Sequence, residues 1–130
     1  IDEVQIHLEK FSLPKSQKGI IIEGAGGCLV PLNESDFVID LVPKFNSEII
    51  LVADLYLGSI NHTLLTVNLL RARKYPVKGI VFNGEPNLES DQIILHHSKY
   101  NCLLRVTKEA EITREIIKQY ATKLKKNWNE

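Results

Sequence analysis

The chain has 130 residues, of which 44% are hydrophobic and 25% charged, the composition of one ordinary globular domain with its own core. Its 16 basic and 16 acidic residues cancel, so no electrostatic attraction to nucleic acid or to an anionic membrane is expected. The apolar runs are too short to span a bilayer, and Cys28 and Cys102 lack metal-ligand spacing, which predicts reduced thiols in an intracellular protein.

The first third of the chain predicts two helices on either side of a buried strand. Residues 1–11 carry apolar side chains at nearly helical spacing, so the sequence is expected to begin inside a helix and to lack an N-terminal segment. The continuous apolar run Gly19–Glu23 predicts a strand buried on both faces. A short helix is predicted over Asp36–Phe45.

Strands and helices alternate along the remainder. The predicted elements are a strand over Glu48–Leu55, a helix over Ser59–Tyr75, a strand over Lys78–Asn83, a helix over Asn87–Tyr100, a strand over Cys102–Val106 and a helix over Glu109–Lys126. Apolar residues expected to face the core include Ile60, Leu64, Val67, Leu70, Ile93, Ile94, Ile112, Ile116, Tyr120 and Leu124. This order predicts a single α/β domain over residues 1–130, with a parallel sheet flanked by helices on both faces.

Ligands of such sheets bind at the carboxyl ends of the strands, which makes each strand end a candidate site. The first end, Glu23–Gly27, reads EGAGG. Its carboxylate is suited to a hard cation such as Mg²⁺, and the small residues after it let backbone N–H groups approach anionic oxygens. The alternative is a glycine-rich turn in which Glu23 only caps a neighbouring N–H group.

The second strand end leads into a helix whose first turn is polar. Ser59 is a candidate N-cap after Gly58, and the N–H groups of the helix start could hold an anion. Asn61 could donate an amide hydrogen bond, and His62 is either an acid–base group or an exposed imidazole. Asp54 is either a second polar group at this strand end or an ordinary loop acid.

The third and fourth strand ends each carry a polar residue of interest. Asn83 could offer a donor and an acceptor to the edge of a base, or could form an Asx turn ahead of Pro86. Thr107 is most simply the cap of the last helix, whose first turn would hold Glu109.

Taken together, these strand ends resemble one enzyme family, the dethiobiotin synthetases. The resemblance rests on IIIEGAGGCLVPL, LVADLYLGSINHTLLT and IVFNG, in that order, and covers about residues 19–106 well. EGAGG is shared with related P-loop enzymes, whereas LGSINHTLLT discriminates better. The resemblance implies a P-loop NTPase-like fold, apparently incomplete here, and a cytoplasmic, homodimeric ligase of biotin biosynthesis.

The resemblance also implies a reaction and a distribution of roles. ATP and Mg²⁺ would close the ureido ring of dethiobiotin from 7,8-diaminopelargonate and CO₂ or bicarbonate. Glu23 would bind the metal, and no side chain would act as a nucleophile. The implied ATP contacts are Glu23, Gly24, Ala25, Gly26, Asn83, Gly84, Thr107, Lys108 and Glu109, and the implied substrate contacts are Gly26, Gly27, Leu57, Gly58, Ser59 and Asn61. The family usually has Pro where this chain has Thr107.

One departure from the family pattern concerns the phosphate-binding loop. No G-x-x-x-x-G-K-[ST] motif occurs in the sequence, so this polypeptide by itself is not expected to turn over ATP. The chain would then be the C-terminal part of a dethiobiotin synthetase. The alternatives are a non-catalytic regulatory or dimerisation module of the same fold, or another P-loop protein such as a partition-type ATPase or an amidotransferase-linked synthetase.

Overall fold

The computed structural model describes residues 6–128, which divide between Ser47 and Glu48 into two compact units. The first unit contains little regular structure. Two short 3₁₀ turns, Leu8–Lys10 and Val38–Asp40, precede helix α1, Leu41–Phe45. The second turn and α1 together confirm the helix predicted near residues 36–45. Of the helix predicted over residues 1–11, only the turn at Leu8–Lys10 forms within the described part, and residues 1–5 lie outside it.

The strand predicted at Gly19–Glu23 is wrong for this structure. Residues 20–24 have no regular secondary structure, and Ile21 is 94% exposed. The prediction rested on an apolar run, but a strand also needs neighbouring backbone with which to exchange hydrogen bonds. Within the described residues, this segment belongs to no sheet ladder. The parallel sheet therefore has three of the four predicted strands.

The second unit is built on that sheet, whose strands lie side by side in chain order. Its elements are β1 (Ile49–Asp54), α2 (Ser59–Ala72), β2 (Val77–Asn83), α3 (Leu88–Ser98), β3 (Cys102–Val106) and α4 (Arg114–Asn127). β2 pairs in parallel with both neighbours. The sequence predicted these strands because each is a short apolar run bounded by turn residues, and parallel strands require the intervening helices as crossovers.

The core of the second unit lies between the sheet and two helices. Ala53, Ile80, Phe82 and Ile94 are almost fully buried in one cluster, with Ile60 of α2 packed against it. The prediction that Ile93 also faces inward is wrong, since that side chain is 43% exposed. Because adjacent helical residues lie about 100° apart, Ile93 and Ile94 cannot both face the sheet.

Several helix boundaries and one helix cap differ from the predictions. Gly58, with φ of +99°, caps α2, and Ser59 is the first helical residue rather than the cap. α2 ends at Ala72 rather than Tyr75, because Lys74 adopts a left-handed conformation ahead of Pro76. None of the helices within residues 6–128 is long and apolar enough to cross a membrane.

The last helix begins later than predicted, at Arg114 instead of Glu109. Its cap is Thr113, which accepts a hydrogen bond of 3.3 Å from the backbone N–H of Ile116. Thr107 is therefore not the cap of α4. Ile112 lies outside the helix and is 75% exposed, so the prediction that it faces the core is also wrong.

Candidate functional site

The carboxyl ends of the three strands form one continuous edge in the second unit. The backbone N–H of Leu55 donates to the carbonyl of Asn83 at 2.9 Å, and that of Gly84 donates to the carbonyl of Val106 at 3.0 Å. Asn83 Nδ2 donates to Asp54 Oδ1 at 3.1 Å. The structure thus brings together the second, third and fourth candidate strand ends, as the parallel arrangement requires.

These contacts bear on the two alternatives for Asp54 and on the Asx-turn alternative for Asn83. Asp54 is the last residue of β1 and takes part in the polar edge, so it is not an isolated loop acid. The amide nitrogen of Asn83 bonds across to the neighbouring strand, and no bond from a backbone N–H to its Oδ1, which an Asx turn needs, is found within residues 6–128. The Asx role belongs to Asn87, whose Oδ1 caps α3 by accepting from the N–H of Ser90 at 3.0 Å.

Gly84 turns the chain away from the sheet with φ of +114°, a conformation that favours glycine. A Cβ at this position would lie 3.5 Å from the Cβ and backbone nitrogen of Leu55. The turn at Gly84 therefore lies in van der Waals contact with Leu55, which follows β1.

The segment after β3, residues 107–109, is hydrogen-bonded to α4 through the phenol of Tyr120. Tyr120 OH lies 3.1 Å from both the backbone nitrogen and the Oγ1 of Thr107, and it donates to Glu109 Oε1. Thr107 Oγ1 also donates to Glu109 Oε1 at 3.2 Å. This cluster holds Thr107 and Glu109, two of the three residues of this segment that were expected to contact ATP. Lys108 lies exposed between them.

The start of α2 presents the residues expected to contact the substrate. Leu57 and Asn61 are exposed, whereas the Ser59 side chain is buried. His62 is exposed and its Nδ1 is hydrogen-bonded to Tyr56 OH. This contact spans the turn at Gly58, so it holds the helix start from the solvent side.

The glycine turn, Gly24–Gly27, lies in the first unit. Glu23 is exposed, and Gly26 and Gly27 have φ of +80° and +112°. A Cβ on Gly24 would lie 2.4 Å from Val38 Cγ1, and one on Gly26 would lie 2.9 Å from Val30 Cγ2. Two of the small residues thus make room for the chain's own valines, whereas Gly27 has open space around it.

A metal site made by protein groups alone is not present in the described residues. No group of three or more His, Cys, Asp or Glu side chains in that part of the chain converges on one point. The chemistry of Glu23 fits another mode, since Mg²⁺ is commonly held by one or two carboxylates together with phosphate oxygens and water. An exposed carboxylate beside a glycine turn meets that requirement.

Several contacts around the sheet edge were missed by the sequence analysis. The missed contacts are hydrogen bonds to partners distant in sequence or across a loop. They involve Tyr56, Tyr120 and the pair Asp91–Arg105. Tyr120 was predicted only as a core residue of the last helix. Asp91 carried no signal beyond an acid in a first helical turn, where acids are common.

A three-stranded parallel sheet flanked by helices, with a polar carboxyl edge, is the architecture of the α/β nucleotide-binding proteins of P-loop NTPase type. A family described as AAA domain matches residues 1–116, and the chain belongs to this family.

The similar proteins are named after one enzyme. The chain is 55% identical to the ATP-dependent dethiobiotin synthetase BioD of Cytophaga hutchinsonii over 98% of its length. It is 36% identical to the protein of the same name from Christiangramia forsetii over 97% of its length, and 38% identical to that of Chlamydia felis over all of it. The chain spans 60–62% of the length of these three relatives.

Proposed function

We propose that this sequence belongs to an ATP- and Mg²⁺-dependent dethiobiotin synthetase of the cytoplasm. The complete protein would close the ureido ring of dethiobiotin from 7,8-diaminopelargonate and CO₂ or bicarbonate. The observation that carries the proposal is the 55% identity to a dethiobiotin synthetase, maintained over 98% of the chain. The polar edge at Asp54, Asn83 and Gly84 supports it, because a parallel sheet binds its ligand there.

In the proposed reaction, one amine of the diamine captures CO₂ as a carbamate. The γ-phosphoryl group of ATP passes to the carbamate, and the second amine attacks the activated carbon and expels phosphate. The products are dethiobiotin, ADP and phosphate. Because each anionic species needs charge stabilisation more than it needs a side-chain nucleophile, glycine N–H groups and one carboxylate are suitable groups for this chemistry.

Adenine is assigned to the edge of β2 and β3. Asn83 and Gly84 would contact one part of the base, and Thr107, Lys108 and Glu109 the other. The support is that both segments leave neighbouring strands and are joined by the hydrogen bond from Gly84 to Val106. The amide oxygen of Asn83 is available to an amino group, since the bond to Asp54 uses the amide nitrogen.

Within the first unit, considered by itself, contacts to phosphate and metal are assigned to the glycine turn. Glu23 would hold Mg²⁺, and backbone N–H groups of Gly24, Ala25, Gly26 and Gly27 would approach the phosphoryl group and the carbamate. A bound Mg²⁺ would neutralise phosphate charge. The positive φ of Gly26 and Gly27 supports this role, because anion-binding concavities are built from successive backbone N–H groups in turns that glycine readily adopts.

The diamine is assigned to the start of α2, at Leu57, Gly58, Ser59 and Asn61, where Ser59 would contribute its backbone because its side chain is buried. In the proposed homodimer these residues would serve the partner's site. Exposed apolar side chains support that assignment, since Leu57 and Leu65 both lie in solvent on this part of the chain. Sedimentation of the complete protein tests it, because a monomer that retains full activity would contradict the shared site.

The reaction itself is tested by incubating the complete protein that carries this sequence with diaminopelargonate, bicarbonate and MgATP. We expect phosphate release that depends on the diamine, and formation of dethiobiotin detected by mass spectrometry. ATP binding without such release would overturn the ligase assignment and favour a non-catalytic module of this family. Absence of any nucleotide binding would also remove the ATP assignment.

Two variants separate the metal role from the substrate role. Glu23→Gln should abolish most Mg²⁺-dependent turnover while leaving the melting temperature unchanged, with Glu34→Gln as the control because Glu34 is also exposed in the first unit. Asn61→Ala should raise KM for the diamine and leave ATP binding intact. Asn68→Ala is its control, since Asn68 lies exposed on the same helix.

A further inference from the structure

A buried carboxylate lies directly behind the polar edge of the sheet. Asp91, in the first turn of α3, is completely buried, and its Oδ2 accepts a hydrogen bond of 2.6 Å from Arg105 Nε. Its other oxygen, Oδ1, is buried without a hydrogen-bond partner among the described residues. Such a carboxylate depends on its single cationic partner, because an unpaired buried charge is strongly unfavourable.

Arg105 connects three elements of the second unit. It extends from β3 to Asp91 of α3, its guanidinium carbon lies 5.4 Å from the ring centre of Phe82 in β2, and its Nη1 lies 3.1 Å from Cys102 Sγ. Phe82 is also the register partner of Arg105 in the sheet. A planar guanidinium can satisfy a fixed hydrogen bond and stack on a ring at once, which an ammonium group cannot do.

The loops that flank this pair are those assigned to the base. Asn83 and Gly84 lead into α3, which carries Asp91, and Arg105 stands two residues before Thr107. Between the loops is a small cavity of about 10 Å³, room for about one water, lined by Asp91, Arg105, Gly84, Pro86 and Thr107 among others. Asp91 and Arg105 therefore line the same small cavity as residues of both loops, and their ion pair joins α3 to β3 beside it.

We propose that Arg105 is a positioning residue that, through Asp91, holds loops 84–87 and 107–109 at the separation needed to bind the nucleotide base. This inference rests on the proposed function, since it concerns the assigned adenine site. Arg105 itself contacts no substrate in this assignment. Its action is to fix the start of α3 against the end of β3.

The test compares Arg105→Met with Arg71→Met in the complete protein. Met keeps apolar bulk but removes the charge and its hydrogen bonds. Arg71 is a matched control because it also joins distant elements: it donates from α2 to the backbone carbonyls of His97 and Ser98 and lies over the ring of Tyr100. We expect both variants to lower the melting temperature.

Two readouts distinguish positioning from general stabilisation. Without ligand, Arg105→Met should speed amide hydrogen exchange in the two base loops, 84–87 and 107–109, and Arg71→Met should not. With substrates, Arg105→Met should raise KM for ATP by about tenfold while kcat and KM for the diamine change less than twofold. For Arg105→Lys, the rise in exchange and in KM for ATP should lie between the wild-type and Arg105→Met values. Lys keeps the charge but loses the planar contact.

Each outcome has a definite meaning. Unchanged exchange in either base loop of Arg105→Met, or an equal rise in KM for ATP in Arg71→Met, would overturn the positioning role. A wild-type protein that binds no nucleotide would overturn the proposed function instead. The exchange measurement would still decide whether Arg105 fixes the two loops.

Discussion

Asn83 and Asp54, the last residues of two neighbouring parallel strands, are register partners joined by a hydrogen bond between their side chains. The bond measures 3.1 Å from Asn83 Nδ2 to Asp54 Oδ1. It fixes the orientation of the amide, because the nitrogen must face the carboxylate. The amide oxygen is then the atom that remains for a ligand, which makes Asn83 an acceptor with a defined direction.

This geometry predicts different effects for charge changes at the two positions. Asn83→Asp should weaken ATP binding by about tenfold, because the new carboxylate cannot donate to Asp54 and repels it. Asp54→Asn should change binding less than twofold, since an amide oxygen can still accept the bond. Titration calorimetry on the complete protein measures both affinities.

The double variant separates folding from binding. With Asp54→Asn and Asn83→Asp together, the amide at position 54 can donate to the carboxylate at 83, so the melting temperature should return towards that of the wild type. ATP affinity should recover as well, because one oxygen of the carboxylate at 83 accepts from the amide at 54 and the other still accepts from the ligand. Affinity that stays low while the melting temperature recovers would contradict the acceptor role of Asn83.

Most elements of the second unit could be predicted from the sequence because their signals are local. β1, β2 and β3 are short apolar runs between turn residues, and α2 and α3 have apolar side chains at helical spacing, so each element is encoded within its own segment. The convergence of Asp54 and Asn83 then follows from the parallel arrangement. The assignment of ligand roles to these residues remains a prediction.

The failures share a dependence on distant partners. The run at 20–23 is as apolar as β1, but whether an apolar run becomes a strand depends on backbone supplied by other segments. Thr107 and Thr113 are both reasonable helix caps by local rules, and the phenol of Tyr120 engages the first of them. The pair Asp91–Arg105 spans 14 residues, beyond any periodic pattern.

The glycine turn gives a prediction about packing in the first unit. Gly24→Ala should lower the unfolding free energy by about 1–3 kcal/mol, because the new Cβ would lie 2.4 Å from Val38 Cγ1 and a β-branched side chain has few alternative rotamers. Calorimetric unfolding measures the effect. Adding Val38→Ala should remove most of the penalty, which a double-mutant cycle detects.

Gly27→Ala is the matched control for that cycle. Its Cβ would meet nothing within 4 Å, but the residue has φ of +112°. The cost there comes from the backbone conformation, so Val38→Ala should not relieve it. If Val38→Ala rescued both glycine variants equally, the steric explanation for Gly24 would be refuted.

The hydrogen bonds of Tyr120 give a prediction about stability and amide exchange in the segment after β3. Tyr120→Phe removes the phenol that lies 3.1 Å from the backbone nitrogen of Thr107 and donates to Glu109, so stability should fall by about 0.5–1.5 kcal/mol. Amide exchange at Thr107 should rise more than exchange in β3. Glu109→Gln should have a smaller effect, because its amide oxygen can still accept from the phenol.

The comparison for this prediction is Tyr75→Phe, which removes a phenol from the opposite end of the fold, beside Pro76. It should leave exchange at Thr107 unchanged. Equal exchange rates at Thr107 in wild type and Tyr120→Phe would show that the segment is held by its own backbone and not by α4.

The thiol of Cys102, next to Arg105, predicts that the free energy of unfolding depends on pH in the alkaline range. Burial raises the pKa of this thiol, the nearby Arg105 guanidinium partly opposes the rise, and Asp91 adds to it. Below the unfolded-state pKa, about 8.5, the thiol is neutral in both states and its stabilising contribution is complete. As pH rises through the folded-state pKa, the contribution is lost, because the unfolded chain ionises first.

The unfolding free energy of the wild type relative to Cys102→Ala should therefore decrease above about pH 8.5, and stay constant between about pH 6 and 8. At pH 8.5, iodoacetamide should modify Cys102 more slowly in the folded protein than in urea, because less thiolate is present and access is reduced. Peptide mass spectrometry separates its modification from that of Cys28. Equal rates in the folded and unfolded protein, together with a pH-independent stability difference, would contradict the raised pKa.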